Sequence, residues 1–181
     1  MLLSALLLAA LAAPAAAGTY TFTWLGDSPA PGRGGPIGVE ARFGTGMYNY
    51  TTLPAGTTIR PGFEAPKFFY KAEAASRSHG AITVRDLSAA KRVHCVDAGP
   101  YPHNGAILTL QPCDGSRGQR WVVNVPEMTG DEPTGRQGTV QLSNSNLCWD
   151  MTDGDDIKPL QVWRCVPGNS NQDFRVLYRA T

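Results

Sequence analysis

Between Cys148 and Cys165 the chain reads CWDMTDGDDIKPLQVWRC, and Asn171-Gln172 follow shortly after. A carboxylate, several amides and an indole at this spacing can act together on one kind of ligand. Asp150 offers two charged acceptor oxygens to adjacent hydroxyls, and charged acceptors make the stronger hydrogen bonds. Trp163 offers a flat apolar face to C–H groups. Gln161 precedes Trp163 by two positions, so on a strand both side chains stand on one face. Asn171 adds an amide that can donate to a hydroxyl. An acceptor for vicinal hydroxyls, amides beside it and an aromatic plate are what a shallow sugar pocket needs. The competing reading of Asp150 is a carboxylate that stabilises its own turn. The presence of Gln161, Trp163 and Asn171 favours the sugar. Gln172 and Phe174 read as more structural, Phe174 as a core aromatic and Gln172 as a holder of the local turn. Trp149 alternates with Asp150 and is expected to face the core.

The same pattern stands 53 positions earlier. Cys95, Asp97 and Trp121 precede Cys148, Asp150 and Phe174 by that interval, so HCVDAG…QPCDGSRGQRWVV returns as LCWDMT…WRCVPGNSNQDFRV. A fixed period signals repeated units that share a core. One more step back from Trp121 reaches Phe68 in PKFFYKAE, with no cysteine and no aspartate to match. The first stretch is either an unrelated extension or a diverged copy, and its aromatic pair in a strand-like run favours the copy. The divisions expected are 18–75, 76–126 and 127–181.

Elements that position these residues are short. TYTFTW, AITVRD, AILTLQ, TVQLSN, LQVWR and FRVLY alternate or run apolar between Gly, Asn, Asp and Pro, as strands do. Only AEAASRS and LSAAKRV hint at a helical turn. Three such units imply a closed all-β body in which each unit buries the others' apolar faces and no strand edge is left open.

Residues 1–17, MLLSALLLAALAAPAAA, read as a signal peptide with a small-residue cleavage site, leaving 18–181 as the mature chain. An N-terminal anchor is the alternative, but the run is short and Ala-rich for a span. No later segment is apolar enough to cross a membrane. The four cysteines then point to an oxidising compartment and two disulfides, in any of three pairings. Asn49-Tyr50-Thr51 is a sequon for glycosylation. With a net charge of +1 and scattered Lys and Arg, no basic stripe suggests nucleic acid. No nucleophile elbow, phosphate loop or zinc helix motif is present, so the chain is read as no enzyme and as needing no cofactor. His79, His94 and His103 lack metal-ligand spacing. The acidic run DGDD at 153–156 fails the calcium-loop pattern, because Trp149 and Met151 would fall on ligand positions.

The two later units resemble repeats of the ricin B-type lectin family. That signature is Cys-x-Asp, an Asn-Gly turn, Gln-x-Trp-x-Cys, then Asn-Gln-x-Trp. The last unit carries Cys148-Trp149-Asp150, Gln161-Val162-Trp163-Arg164-Cys165 and Asn171-Gln172-Asp173-Phe174, with Phe in the final place. The middle unit carries Cys95-Val96-Asp97, His103-Asn104-Gly105, Cys113 and Gly118-Gln119-Arg120-Trp121. The resemblance implies a β-trefoil. It implies disulfides Cys95–Cys113 and Cys148–Cys165, each stabilising by about 3 kcal/mol in the loop-entropy model. It implies carbohydrate binding by Asp150, Gln161, Trp163, Asn171 and Gln172, with galactose or N-acetylgalactosamine on glycans as ligand. A second, weaker site is expected around Asp97, Gln111 and Gln119. There Gln111 replaces the indole, Thr109 replaces Gln161 and Gly118 replaces Asn171, unless Tyr101 supplies the plate. The runner-up is a β-trefoil protease inhibitor or protein-interaction scaffold carrying relic sugar sites.

Overall fold

The computed structural model of the chain describes residues 18–24, 37–40, 56, 58–61, 69–85, 93–126, 128, 134–154 and 158–180. The segment 1–17, the sequon at Asn49 and Phe68 lie outside them.

Among the described residues thirteen strands follow one another: β1 (Gly18–Trp24), β2 (Ile37–Glu40), β3 (Arg60–Pro61), β4 (Phe69–Ala74), β5 (Ile82–Arg85), β6 (Val93–Asp97), β7 (Ala106–Ile107), β8 (Thr109–Pro112), β9 (Trp121–Asn124), β10 (Arg136–Leu142), β11 (Leu147–Met151), β12 (Leu160–Arg164) and β13 (Phe174–Ala180). Among the described residues helical geometry is confined to short 3-10 turns, Arg117–Gln119, Thr152–Gly154 and Ser170–Gln172. Alternation decides which face each strand buries. In β1 Tyr20, Phe22 and Trp24 are buried while the threonines between them are half-exposed. The same β1 pairs with β13 from Gly18↔Ala180 to Trp24↔Phe174, so the two ends of the described chain lie side by side.

All pairings are antiparallel, and the sheet runs β7-β12-β11-β10-β13-β1-β4-β5-β6-β8. Its end strands β7 and β8 are consecutive, separated by Leu108 alone, so the sheet returns on itself. AILTLQ is therefore one apolar run divided at a bend: β7 pairs with β12, β8 with β6. Ile59, Leu108 and Leu160 meet where the three stretches of chain converge. Leu108 N–H donates to Leu160 O at 2.9 Å, and Leu160 N–H donates to Ile59 O at 2.8 Å. All three side chains are fully buried. Gly56 N–H to Leu110 O, 2.7 Å, is repeated by Gly105 N–H to Val162 O, 2.9 Å. These recurring contacts are those of a β-trefoil.

AEAASRS is the end of β4 followed by bends, not a helical turn. Alanine is a strong helix former, but propensity yields to tertiary context, and pairing of β4 with both β1 and β5 overrides it. LSAAKRV lies almost wholly outside the described residues. Aliphatic side chains make up most of the core, and aromatic rings meet within it. Trp149 stands at its centre, with ring centroids 5.2 Å from Phe22, 5.7 Å from Trp121 and 5.9 Å from Phe174.

Candidate functional site

Asp150 sits on β11 directly opposite Gln161 on β12, and Cys148 sits opposite Trp163. Directly paired residues of an antiparallel ladder share a face. The disulfide Cys148–Cys165 closes this ladder at its end. Three amides hold the Asp150 carboxylate. Gln161 Nε2 donates to Oδ1 at 3.0 Å, Gln172 Nε2 to Oδ2 at 2.9 Å, and Asn169 Nδ2 to Oδ2 at 3.4 Å. Gln172 is anchored in turn: it donates to Arg164 O at 2.9 Å and accepts from Val166 N–H at 2.8 Å. Asp150 is 5% exposed and Gln172 1%. A buried carboxylate needs such donors, because desolvation without them is costly. A carboxylate has roughly four lone-pair sites, so about one remains for a ligand. Gln172 thus reaches a ligand only through Asp150.

Trp163 is 42% exposed and presents its ring beside Gly105. A Cβ at Gly105 would lie 3.6 Å from Trp163 Cζ3 and 3.9 Å from Gln161 Oε1. Asn171 is half-buried, with its N–H capped by Asn169 Oδ1 at 3.0 Å. Among the described residues its side-chain amide makes no hydrogen bond. It stands over Gly154, where a Cβ would come within 2.9 Å of Asn171 Oδ1. The arrangement is an oriented acceptor, one amide beside it, one unengaged amide and an exposed indole.

The middle unit repeats the clamp and omits the pocket. Gln119 Nε2 donates to Asp97 Oδ2 and to Pro112 O, both at 2.9 Å. Its Oε1 accepts from Asp114 N–H at 3.0 Å and Gly115 N–H at 3.3 Å. The second carboxylate oxygen accepts from Gly99 N–H at 2.5 Å. Gly118, in the place of Asn171, lies against the same oxygen: a Cβ there would be 2.4 Å from Asp97 Oδ1 and 2.6 Å from Gly99 O. Gln111 turns its amide to Thr109 Oγ1 at 3.4 Å, and Tyr101 stands 87% exposed. Asp97 and Gln119 tie a loop together. In that loop the exposed Asp114 carboxyl is held below the usual carboxylate value by the Ser116 backbone N–H and then its hydroxyl. This contribution to the turn is present above the usual range and is lost as pH falls through the lowered value. Gly118→Ala is expected to destabilise by about 1–3 kcal/mol through that steric conflict, read as a lowered urea midpoint, with ligand binding by the last unit unchanged.

Three contributors escaped the sequence reading. Asn104 Oδ1 accepts from Arg164 N–H at 2.8 Å, and Gly105 N–H donates to Val162 O, so the turn read as part of the middle unit's signature is fastened to the strand carrying Trp163. Asn169 both caps the last 3-10 turn and touches Asp150. Its signal was an Asn immediately before a short polar turn, a capping position. Nothing local in the sequence ties Asn104 to Arg164.

The structure pairs Cys95 with Cys113 and Cys148 with Cys165. Among the described residues no helix is long and apolar enough to cross a membrane. No curated protein and no solved structure gives a significant match to the chain. The family model of the ricin-type beta-trefoil lectin domain matches residues 83–181, a span that takes in both disulfides and both Asp–Gln clamps. On that match and this fold, the chain belongs to the ricin-type β-trefoil lectin family, whose domain is a non-catalytic carbohydrate-binding module.

Proposed function

We propose that this protein is a secreted lectin with one working site, in its last unit, for terminal galactose or N-acetylgalactosamine on glycans. Asp150 accepts from a sugar hydroxyl. Gln161 and Asn171 exchange hydrogen bonds with their neighbours on the ring, Trp163 stacks under its apolar face, and Gln172 fixes the carboxylate. The single observation that carries this reading is the Asp150 carboxylate, cradled by amides on the same strand face as an exposed Trp163. The middle unit keeps Asp97 and Gln119 but engages the second carboxylate oxygen with Gly99 N–H and has Gln111 where the indole would stand, which supports one site rather than two. The preference for galactose rests on the family resemblance alone. Two disulfides fit secretion, and a glycan on Asn49 would fit it too. The recurrence of the Gly56 N–H to Leu110 O bond in Gly105 N–H to Val162 O supports repeated units, which we divide near 75 and 126.

One carboxylate and one indole in a shallow site should hold a monosaccharide at micromolar to millimolar strength, about −4 to −8 kcal/mol. The test is a glycan array with the wild-type protein beside Trp163→Ala. Binding to terminal galactosides is expected to vanish in the variant. The unfolding free energy from urea should stay within about 0.5 kcal/mol of wild type, because an exposed side chain away from the core contributes little to stability. Galactoside binding that survives in Trp163→Ala would reject the site. Well-folded protein that binds no glycan would shift the reading to a protein-interaction scaffold.

A further inference from the structure

The face that carries Asp150 and Gln161 does not stop at β12. Gln161 pairs directly with Ile107 on β7, a strand of the middle unit. Asp150, Gln161 and Ile107 therefore form one row across three strands, on one face. Two strand spacings separate the ends of that row by about 10 Å. That is the reach of two linked pyranose rings rather than one. Ile107 is 38% exposed, although it sits in a strand whose neighbours pack inward. Between Trp163 and Ile107 lies Gly105, whose φ of +84° suits a residue without a side chain and whose missing Cβ leaves the floor open. The turn is fixed in place by Asn104 Oδ1 on Arg164 N–H and by Gly105 N–H on Val162 O. His103 Nδ1 donates to Asn104 O at 2.9 Å, so in the neutral ring Nε2 remains as an acceptor on the exposed rim.

From this row we propose that the ligand is an oligosaccharide and that its second sugar residue packs on Ile107, across the boundary between units. The proposal rests on the sugar reading of the Asp150 site. It assigns the middle unit a role that its own Asp97 clamp does not have: it supplies the second subsite of its neighbour. The chemistry is the same as at Trp163 but weaker, an aliphatic side chain under the C–H face of a pyranose, with polar groups at the rim.

The test is calorimetric titration of the purified protein with methyl β-galactoside and with galactose-terminated disaccharides in β1,3, β1,4 and α1,4 linkage. Wild type should bind at least one disaccharide on the order of tenfold more tightly than methyl β-galactoside, a step of about 1.4 kcal/mol. Ile107→Ala should bring that disaccharide to parity with methyl β-galactoside while the affinity for methyl β-galactoside itself holds. Ile107→Tyr, which keeps a flat apolar surface there, should preserve or enlarge the advantage. Disaccharides no better than methyl β-galactoside, or an advantage that survives Ile107→Ala, would overturn the extension and leave the first subsite standing. Failure of methyl β-galactoside to bind at all would instead remove the site reading, and this proposal with it.

Discussion

Asp150→Ala should abolish sugar binding and lower stability by about 1–3 kcal/mol at once, the range for stranding buried polar groups. Both effects come from one carboxylate. On the ligand side, its loss removes a charged acceptor from the pocket, and the amide of Gln161 loses the partner that orients it at 3.0 Å. Binding that is already weak should fall by at least about a hundredfold, below detection for a monosaccharide, as for a central hydrogen-bonding residue of an interface. On the protein side, Gln172 is 1% exposed and would keep only Arg164 O as acceptor for its two N–H groups. Asp150→Asn is no milder, although it has nearly the same shape. One of its two oxygens becomes an N–H2 facing amide donors, so a hydrogen bond turns into a donor–donor clash. Asp97→Ala provides the internal comparison. Gln119 depends on Asp97 as Gln172 depends on Asp150, with the same 2.9 Å bond. It should lose comparable stability in urea and leave sugar affinity untouched. Equal galactoside binding by wild type and Asp150→Ala would reject the carboxylate's role. A loss of binding in Asp97→Ala would show a second working site.

The sequence made the Asp–Gln–Trp arrangement legible for a simple reason. A strand has a period of two, so Gln161 and Trp163 had to share a face, and Trp149 had to leave it. Trp149 is indeed fully buried and Trp163 exposed. The cysteines marked the ends of the loops. What stayed hidden depends on backbone rather than on residue type. Loss of the indole at Gln111 was visible, but the tie of Asp97 to its own loop was not, because it arises from Gly99 N–H and the close approach of Gly118. The reach of Asn104 to Arg164 crosses 60 positions and follows from three-unit closure, which no local pattern encodes. The first unit carries neither cysteine nor the aspartate. Its Gly56 N–H bonds to Leu110 O as Gly105 N–H bonds to Val162 O, with little shared sequence around the two glycines. Propensity misled once, at AEAASRS, where sheet pairing outweighed alanine.

The largest change in stability is expected at Trp149, with Trp149→Ala losing about 3–5 kcal/mol, the usual range for truncating a buried aromatic. A domain of this kind is stable by only about 5–15 kcal/mol in total, so the variant should sit near the edge of folding. Trp149 is placed to matter more than an average core residue. Its ring meets Phe22 from the first unit, Trp121 from the second and Phe174 from its own, each edge-on at 5.2 to 5.9 Å. Such pairs contribute roughly 0.5–1.5 kcal/mol beyond area burial. Removing the ring opens a cavity where the three units converge, and the surrounding strands are held by sheet pairing and cannot collapse into it. The indole N–H finds no hydrogen-bond partner among the described residues, so it adds nothing that a phenyl ring would lack. Trp149→Phe should therefore retain most of the stability, losing only about 1–2 kcal/mol for the smaller volume. Urea unfolding of the three proteins decides between packing and polarity. Alanine far below phenylalanine, with phenylalanine close to wild type, assigns the effect to ring volume at the junction. Alanine within about 1 kcal/mol of wild type would mean that the junction is not what holds the units together, since large values come only from a few mechanisms of which a core cavity is one. Trp149→Phe should still bind galactosides as wild type does, because the substitution lies on the opposite face of β11 from Asp150.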